Sequence, residues 1–319
     1  MNKYYVGVDL GGTNIAVGIT DENYKMLIKG SVPTLAERGA DAIAADIASL
    51  VKKLCADLGV DVKDVAGAGI SAPGTVNPET GIIEYANNIR FKDFPMVKVF
   101  SKLTGIPEDR IALGNDANLA ALGEYVAGSG KGTNSLVMIT LGTGVGGGVI
   151  IDGKMITGFR FGGAELGHMV IVHNGRKCTC GRRGCFEAYC SATALVKMTK
   201  EKFVSERDTI MHDLCDGDVD KVGGKTAFAA MKKGDRAGAE VVGEYINYLA
   251  CGIANLINIF QPEILLIGGG VCNEGDHLLN PLFSKLDHEI YGERHTKVAI
   301  ASLGNDAGII GAVAASMKH

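Results

Sequence analysis

Val6-Gly7-Val8-Asp9-Leu10-Gly11-Gly12-Thr13-Asn14-Ile15-Ala16-Val17-Gly18-Ile19-Thr20-Asp21 places two apolar runs on either side of a Gly-Gly-Thr tip. Strand-forming residues flanking a glycine turn predict a β-hairpin. A similar stretch starts further along the chain. Leu136-Val137-Met138-Ile139 leads into Thr140-Leu141-Gly142-Thr143-Gly144, and Gly148-Val149-Ile150-Ile151-Asp152 follows. In that register Leu10 meets Leu141, Gly11 meets Gly142 and Asp21 meets Asp152, while Asp9 stands opposite Thr140. Two such hairpins, each opening its own α/β half, predict a duplicated fold with a cleft between the halves. Taken singly, either could be an ordinary hairpin whose glycines only satisfy turn geometry. The matched pair, with hydroxyl and carboxylate side chains at the tips, suggests turns whose backbone amides can approach a phosphate closely.

Outward from the hairpins the chain alternates strands and helices. Ile43, Ile47, Leu50, Val51, Leu54 and Leu58 form a helical stripe within Ala40 to Gly59. Val65 to Ser71 reads as a buried strand before an Ala72-Pro73-Gly74 turn, and Ile111 to Leu113 as a short strand. Helices are expected over Ala117 to Ala127 and Ala237 to Phe260, and a strand over Ile264 to Ile267 running into Gly268-Gly269-Gly270. The expected organisation is an N-terminal α/β domain over residues 1–115 and a second over 116–303. A last helix, within about 304–319, is expected to return to the first domain.

At 319 residues the chain suits two domains better than one. A hydrophobic content of 46% and a mean hydropathy of +0.16 suffice for sizeable cores. The net charge of −4 and the lack of a basic run leave no electrostatic footprint for nucleic acid. The most apolar stretch, Tyr248 to Phe260, contains Asn255 and Asn258 and is too short and polar to span a bilayer. Met1 to Tyr5 runs straight into a strand, which fits neither a signal peptide nor a presequence, so a cytoplasmic protein is expected. Four of the eight cysteines, Cys178, Cys180, Cys185 and Cys190, crowd within thirteen residues, a pattern of metal binding rather than of a disulfide framework.

Three thiolates and an imidazole make a closed tetrahedral zinc site. Cys178, Cys180 and Cys185 supply the thiolates, and His168 or His173 the imidazole. A closed site leaves no open position for catalysis, so the metal is expected to be structural. If His168 is a ligand, its other ring nitrogen becomes a fixed hydrogen-bond donor. Glu165 and Glu187 flank the cluster and could join it in a rigid polar patch suited to sugar hydroxyls. Asp116, in Asn115-Asp116-Ala117-Asn118, sits where a strand gives way to a helix. It could be the helix N-cap, which aspartate favours, or a carboxylate that takes the proton of an attacking alcohol during phosphoryl transfer. Asp9, beside the first turn, suits a magnesium-water contact.

Together these segments resemble the ROK family (repressors, open reading frames and sugar kinases), in particular its bacterial glucokinases. The resemblance rests on Asp9-Leu-Gly-Gly-Thr-Asn14, Asn115-Asp116-Ala-Asn118, Leu141-Gly-Thr-Gly-Val-Gly-Gly-Gly148, Glu165-Leu-Gly-His168, Cys178-Thr-Cys-Gly-Arg-Arg-Gly-Cys-Phe-Glu187 and Leu266-Ile-Gly-Gly-Gly-Val271. It runs in family order from Tyr5 to Ala315. It implies a duplicated actin-like/hexokinase-like (ribonuclease H-like) α/β fold, with ATP and sugar meeting in the cleft. Asp116 is then the catalytic base on the sugar's terminal hydroxyl. Asn88, Asn115, Asp116, Glu165, His168 and Glu187 are the sugar contacts. Asp9, Gly11, Gly12, Thr13, Asn14, Thr143 and Gly144 serve the phosphates with Mg²⁺, and Gly269 and Gly270 lie by the nucleotide. His168 becomes the fourth ligand of the structural Zn²⁺, and a homodimer is implied. One departure is Phe91, where the family's sugar loop often carries Trp; this chain has none.

The nearest rival is a kinase of the same mechanism for N-acetylmannosamine, N-acetylglucosamine, fructose or allose, since a few pocket contacts decide the sugar. A non-enzymatic sugar-sensing ROK regulator would carry a DNA-binding domain before the Asp-Leu-Gly-Gly motif, and only eight residues precede Asp9. A zinc-stabilised sugar-binding module without catalysis would leave the paired turns and Asp116 unexplained.

Overall fold

The computed structural model describes residues 3–86 and 89–317. The chain divides into two compact units. The first comprises Met1–Leu136, Gly148–Ala164 and Ala301–His319, the second Val137–Gly147 and Glu165–Ile300. Residues 116–136, which the sequence reading gave to the second domain, group with the first unit.

The first hairpin forms β1 (Tyr4–Leu10) and β2 (Asn14–Thr20), antiparallel, with Leu10 opposite Ile15. They join β3 (Met26–Pro33), β4 (Val65–Ala72) and β8 (Ile111–Asn115) in a sheet of order β3-β2-β1-β4-β8. A three-stranded antiparallel sheet, β5 (Thr75–Asn77), β6 (Ile82–Ala86) and β7 (Phe91–Phe94), lies between β4 and β8 in sequence. The second hairpin forms β9 (Leu136–Leu141) and β10 (Val145–Ile151). With β11 (Lys154–Met155), β12 (Ile264–Gly268) and β13 (Lys297–Ile300) it gives the order β11-β10-β9-β12-β13. The two five-stranded orders are the same pattern. In the first, β1, β2 and β3 pair antiparallel while β4 and β8 run parallel to β1; in the second, β10 and β11 pair antiparallel at the matching edge and β12 and β13 run parallel at the other. The duplication read from the glycine turns is thus a duplication of whole sheets.

Ten helices are described. The first unit holds α1 (Ala40–Leu58), α2 (Met96–Thr104), α3 (Asp116–Ala127) and α10 (Ala307–Ser316). The second holds α4 (Glu187–Cys190), α5 (Ala192–Ser205), α6 (Met211–Leu214), α7 (Thr226–Lys232), α8 (Arg236–Phe260) and α9 (Asp276–Glu289). None is long and apolar enough to cross a membrane.

In the first unit, strand alternation decides what covers each face of the sheet. Val6, Val8 and Leu10 point one way and bury in a core with Ile43, Ile47 and Val51 of α1. Gly7 and Gly69 point the other way, toward α10. A Cβ on Gly7 would lie 2.2 Å from the Ile309 carbonyl oxygen, and one on Gly69 1.8 Å from that of Ala312. Glycine on this face lets a helix lie directly on the strands. The same device joins α3 to α10: a Cβ on Gly311 would lie 1.6 Å from the carbonyl oxygen of Leu119. Glu124 of α3, fully buried, anchors the chain's return to this unit. Its carboxylate accepts hydrogen bonds from the amides of Ser129 (2.8 Å) and Leu303 (2.6 Å) and from the Ser302 hydroxyl (3.3 Å).

These contacts predict opposite effects for two helical glycine substitutions. Gly311→Ala should lower stability by about 3 kcal/mol, the upper end for overpacking a rigid contact. Gly243→Ala, on the exposed side of α8 with nothing within 4 Å of the new methyl, should raise it by up to about 1 kcal/mol. Urea unfolding midpoints measure both; a Gly311→Ala protein as stable as the parent would show that the two helices separate freely.

Candidate functional site

The first glycine turn is held from behind. The Gly11 amide donates to the Asn14 carbonyl at 3.0 Å, closing the turn. Thr34, fully buried, donates its hydroxyl to the Gly11 carbonyl at 2.7 Å and its amide to the Thr13 carbonyl at 2.9 Å. The carbonyls of Gly11 and Thr13 are therefore occupied. Among the described residues the amides of Gly12 and Thr13 make no hydrogen bond, which is the arrangement an anion cradle needs. At the end of β1, Asp9 accepts from the hydroxyl of Ser71 on β4 at 3.0 Å. Burial pushes its carboxyl above the ordinary range and Ser71 pulls it partly back; a cation beside it would favour the charged form.

Asp116 opens α3 in the same unit, but it is not the cap. The N-cap is Asn115, whose Oδ1 accepts from the amides of Ala117 (3.0 Å) and Asn118 (3.2 Å). The Asn115 amide nitrogen also donates to the Gly74 carbonyl at 3.1 Å. Most of the hydrogen-bonding capacity of Asn115 is thereby committed to backbone, which leaves one N–H for a ligand. Asp116 occupies the first helical position, half-buried, its Oδ1 2.8 Å from the amide of Ala117. An anion there sits at the positive end of the helix. Two residues on, Asn118 buries its Oδ1 without a partner among the described residues, an unsatisfied acceptor within one turn of Asp116. Asn88 lies outside the described residues.

In the second unit the thiols and His168 come together. One donor atom each from His168, Cys178, Cys180 and Cys185 lies within 4.8 Å of the others. The Cys178 sulfur is 3.7 Å from His168 Nδ1, and the Cys180 and Cys185 sulfurs are 3.7 Å apart. A tetrahedron with zinc–sulfur bonds of ~2.3 Å has edges of about 3.7 Å, so the donor set fits a four-coordinate cation. His173 is outside the group, its ring beside the Asn174 side-chain amide. As free thiols Cys178 and Cys185 are poorly disposed to ionise, both pushed up first by burial. At exposed Cys180 desolvation is outweighed by hydrogen bonds from the Arg182 backbone and the neighbouring thiols, which pull the thiol below its ordinary range. Burial, then hydrogen bonds from Cys180 and Cys178, push the Cys185 thiol up to about 12. A bound cation reverses that preference.

Glu165, exposed, ends the segment before the 3₁₀ turn Leu166–His168, and its carbonyl accepts from the His168 amide at 3.0 Å. Glu187 opens α4. One carboxylate oxygen accepts from the Thr179 hydroxyl at 2.9 Å and the other from the Val145 amide at 3.1 Å. Gly269 follows β12 beside the second turn: a Cβ there would lie 2.4 Å from the Leu141 carbonyl oxygen. Sequence reasoning missed Thr34, Ser71, Asn115 as the cap, and the link from Glu187 to the turn. Only the cap carried a local signal, since asparagine caps as well as aspartate.

The ROK family model matches residues 5–318. The chain belongs to the ROK family. It is 38% identical over 309 residues to a glucokinase of Thermotoga maritima, covering 96% of this chain and 95% of that protein. It is 36% identical over 318 residues to a glucokinase of Halalkalibacterium halodurans, covering 97% and 94%. The crystal structure of a ROK family glucokinase from Streptomyces griseus in complex with glucose and AMPPNP superposes with a TM-score of 0.84 at 34% identity, over 99% of this chain and 100% of that one. The ROK fold of this chain is the duplicated actin-like/hexokinase-like one that the paired sheets display.

Proposed function

We propose that this ROK protein is an ATP-dependent hexose kinase that transfers the γ-phosphoryl group of ATP to the 6-hydroxyl of glucose. The observation that carries the reading is the first turn, whose Gly11 and Thr13 carbonyls are tied back by Thr34 while, among the described residues, the Gly12 and Thr13 amides stay uncommitted. Whole-length similarity to glucokinases supports it. Asp116 is the base: it takes the proton as the sugar oxygen bonds to phosphorus and the bond to ADP breaks. Gly11, Gly12, Thr13, Asn14, Thr143 and Gly144 bind the phosphates, and Gly269 and Gly270 the nucleotide. Asn88, Asn115, Glu165, His168 and Glu187 bind the sugar. Mg²⁺ neutralises phosphate charge when bound, and Asp9, steered by Ser71, is the residue that would hold it through water. Zn²⁺ would be held by His168, Cys178, Cys180 and Cys185, and its role is to stiffen the loop that carries Glu187. The protein acts as a cytoplasmic homodimer.

A coupled assay of ADP release across glucose, fructose, allose, N-acetylglucosamine and N-acetylmannosamine tests this. Magnesium-dependent release is expected with glucose as the preferred acceptor. Faster release with an N-acetylated hexosamine would overturn the sugar and keep the kinase; silence with every sugar would overturn both.

A further inference from the structure

Gly142-Thr143-Gly144 has two glycines in three residues, so the free turn would sample many conformations. Its ties come from a surprisingly short stretch of chain. The turn closes on itself through the Gly142 amide and Gly144 carbonyl at 3.0 Å. Among the described residues, its other hydrogen bonds come from residues 187–193. The Ala192 amide donates to the Gly142 carbonyl (2.8 Å), the Thr193 hydroxyl donates to the Thr143 carbonyl (2.8 Å), and Glu187 accepts from the Val145 amide (3.1 Å). This stretch begins two residues after Cys185. Glu187 has a second anchor in the cysteine loop, because its other oxygen accepts from Thr179, the residue between Cys178 and Cys180. Gly144 permits the approach: a Cβ there would lie 2.3 Å from Glu187 Oε2. With the Val145 amide committed to Glu187, the amides left to the turn are those of Thr143 and Gly144.

We infer that Thr179 and Thr193 are positioning residues for nucleotide binding: through Glu187, the metal-binding loop sets the shape of the second phosphate turn. The inference rests on the kinase reading above and goes beyond it. In that reading the cysteine loop serves the sugar; here it also serves ATP. A turn already held in its binding shape gives up less freedom on binding, so each tie adds to affinity without touching the ligand.

Thr179→Val and Thr193→Val keep the shape of each side chain and remove only the hydroxyl, and both residues are exposed. Each should raise the dissociation constant of a non-hydrolysable ATP analogue with Mg²⁺ about three- to tenfold, the scale of one hydrogen bond. Zinc content and melting temperature should stay unchanged, and Thr179→Ser should restore affinity. Amide hydrogen exchange at Val145 gives a readout that needs no ligand, and it should quicken in Thr179→Val. Unchanged affinity in both valine variants overturns the proposal, as does unchanged exchange at Val145 or a serine variant that fails to rescue. Failure of the kinase reading shows separately, as no analogue binding by the unsubstituted chain, and the Val145 exchange still decides the strut.

Discussion

Asp116→Asn should yield a folded protein whose turnover is lower by roughly 10²–10⁴-fold, the range for loss of a general base. The geometry makes this substitution cleaner than the sequence suggested. Capping of α3 rests on Asn115, which binds the Ala117 and Asn118 amides, so changing Asp116 leaves the cap in place. Asparagine also keeps the size of the side chain and an oxygen for the Ala117 amide. What it loses is the capacity to take a proton. Nucleotide affinity and stability should therefore move little, and glucose affinity only modestly. Asn115→Ala supplies the complementary result, a stability loss of about 1 kcal/mol from the missing cap. Steady-state kinetics and urea unfolding on the two variants separate the roles. A folded Asp116→Asn protein with more than about a tenth of parental turnover would move the base elsewhere, with Asp9 the next candidate.

Cys180→Ser should remove zinc, lower stability by on the order of 3 kcal/mol and weaken glucose binding together. Structural zinc can contribute on the order of 10 kcal/mol in small peptide sites, and less of this appears as global stability in a larger body. Cys180 is the exposed member of the cluster and sits 3.7 Å from the buried Cys185. Losing it leaves buried thiols that resist ionisation and frees the loop that places His168 and Glu187. Metal analysis, thermal unfolding and calorimetric glucose titration follow the three effects. A metal-free protein with parental glucose affinity and an unchanged melting temperature would refute the assignment.

Much of this could be read in the chain before its structure. The glycine hairpins marked the opening strands of both sheets because turn chemistry is local: two glycines and a threonine between apolar runs leave few alternatives. The stripe from Ile43 to Leu58 became α1, and the cysteine spacing brought its sulfurs together, again because the information lies within one or two turns of chain. Contacts between distant segments were not legible. Glu124 reads as a surface glutamate on a helix, yet it is fully buried because Ser302 and Leu303, far along the chain, supply its donors. Thr34 and Ser71 carry no local signal, and only the pairing of β2 with β3 and of β1 with β4 brings them to the first turn and to Asp9. Asn115 and Asp116 are equally good caps on paper, and the backbone conformation at the strand end decides between them.

The glycine-paved face of β1 and β4 also has a consequence for how the protein is made. Its cover, α10, begins some 180 residues after the end of α3, the helix it also packs against. At synthesis rates of about 5–20 residues per second that interval is roughly 10–40 s. Throughout it, the nascent first unit lacks the helix that packs on Gly7, Gly69 and Gly123. The order in which the two units have all their chain is thus the reverse of the order in which they start. The second unit, closed by residue 300, can mature while the first waits, and a chaperone that shields an open sheet would find its substrate at the N-terminal end of the newborn chain.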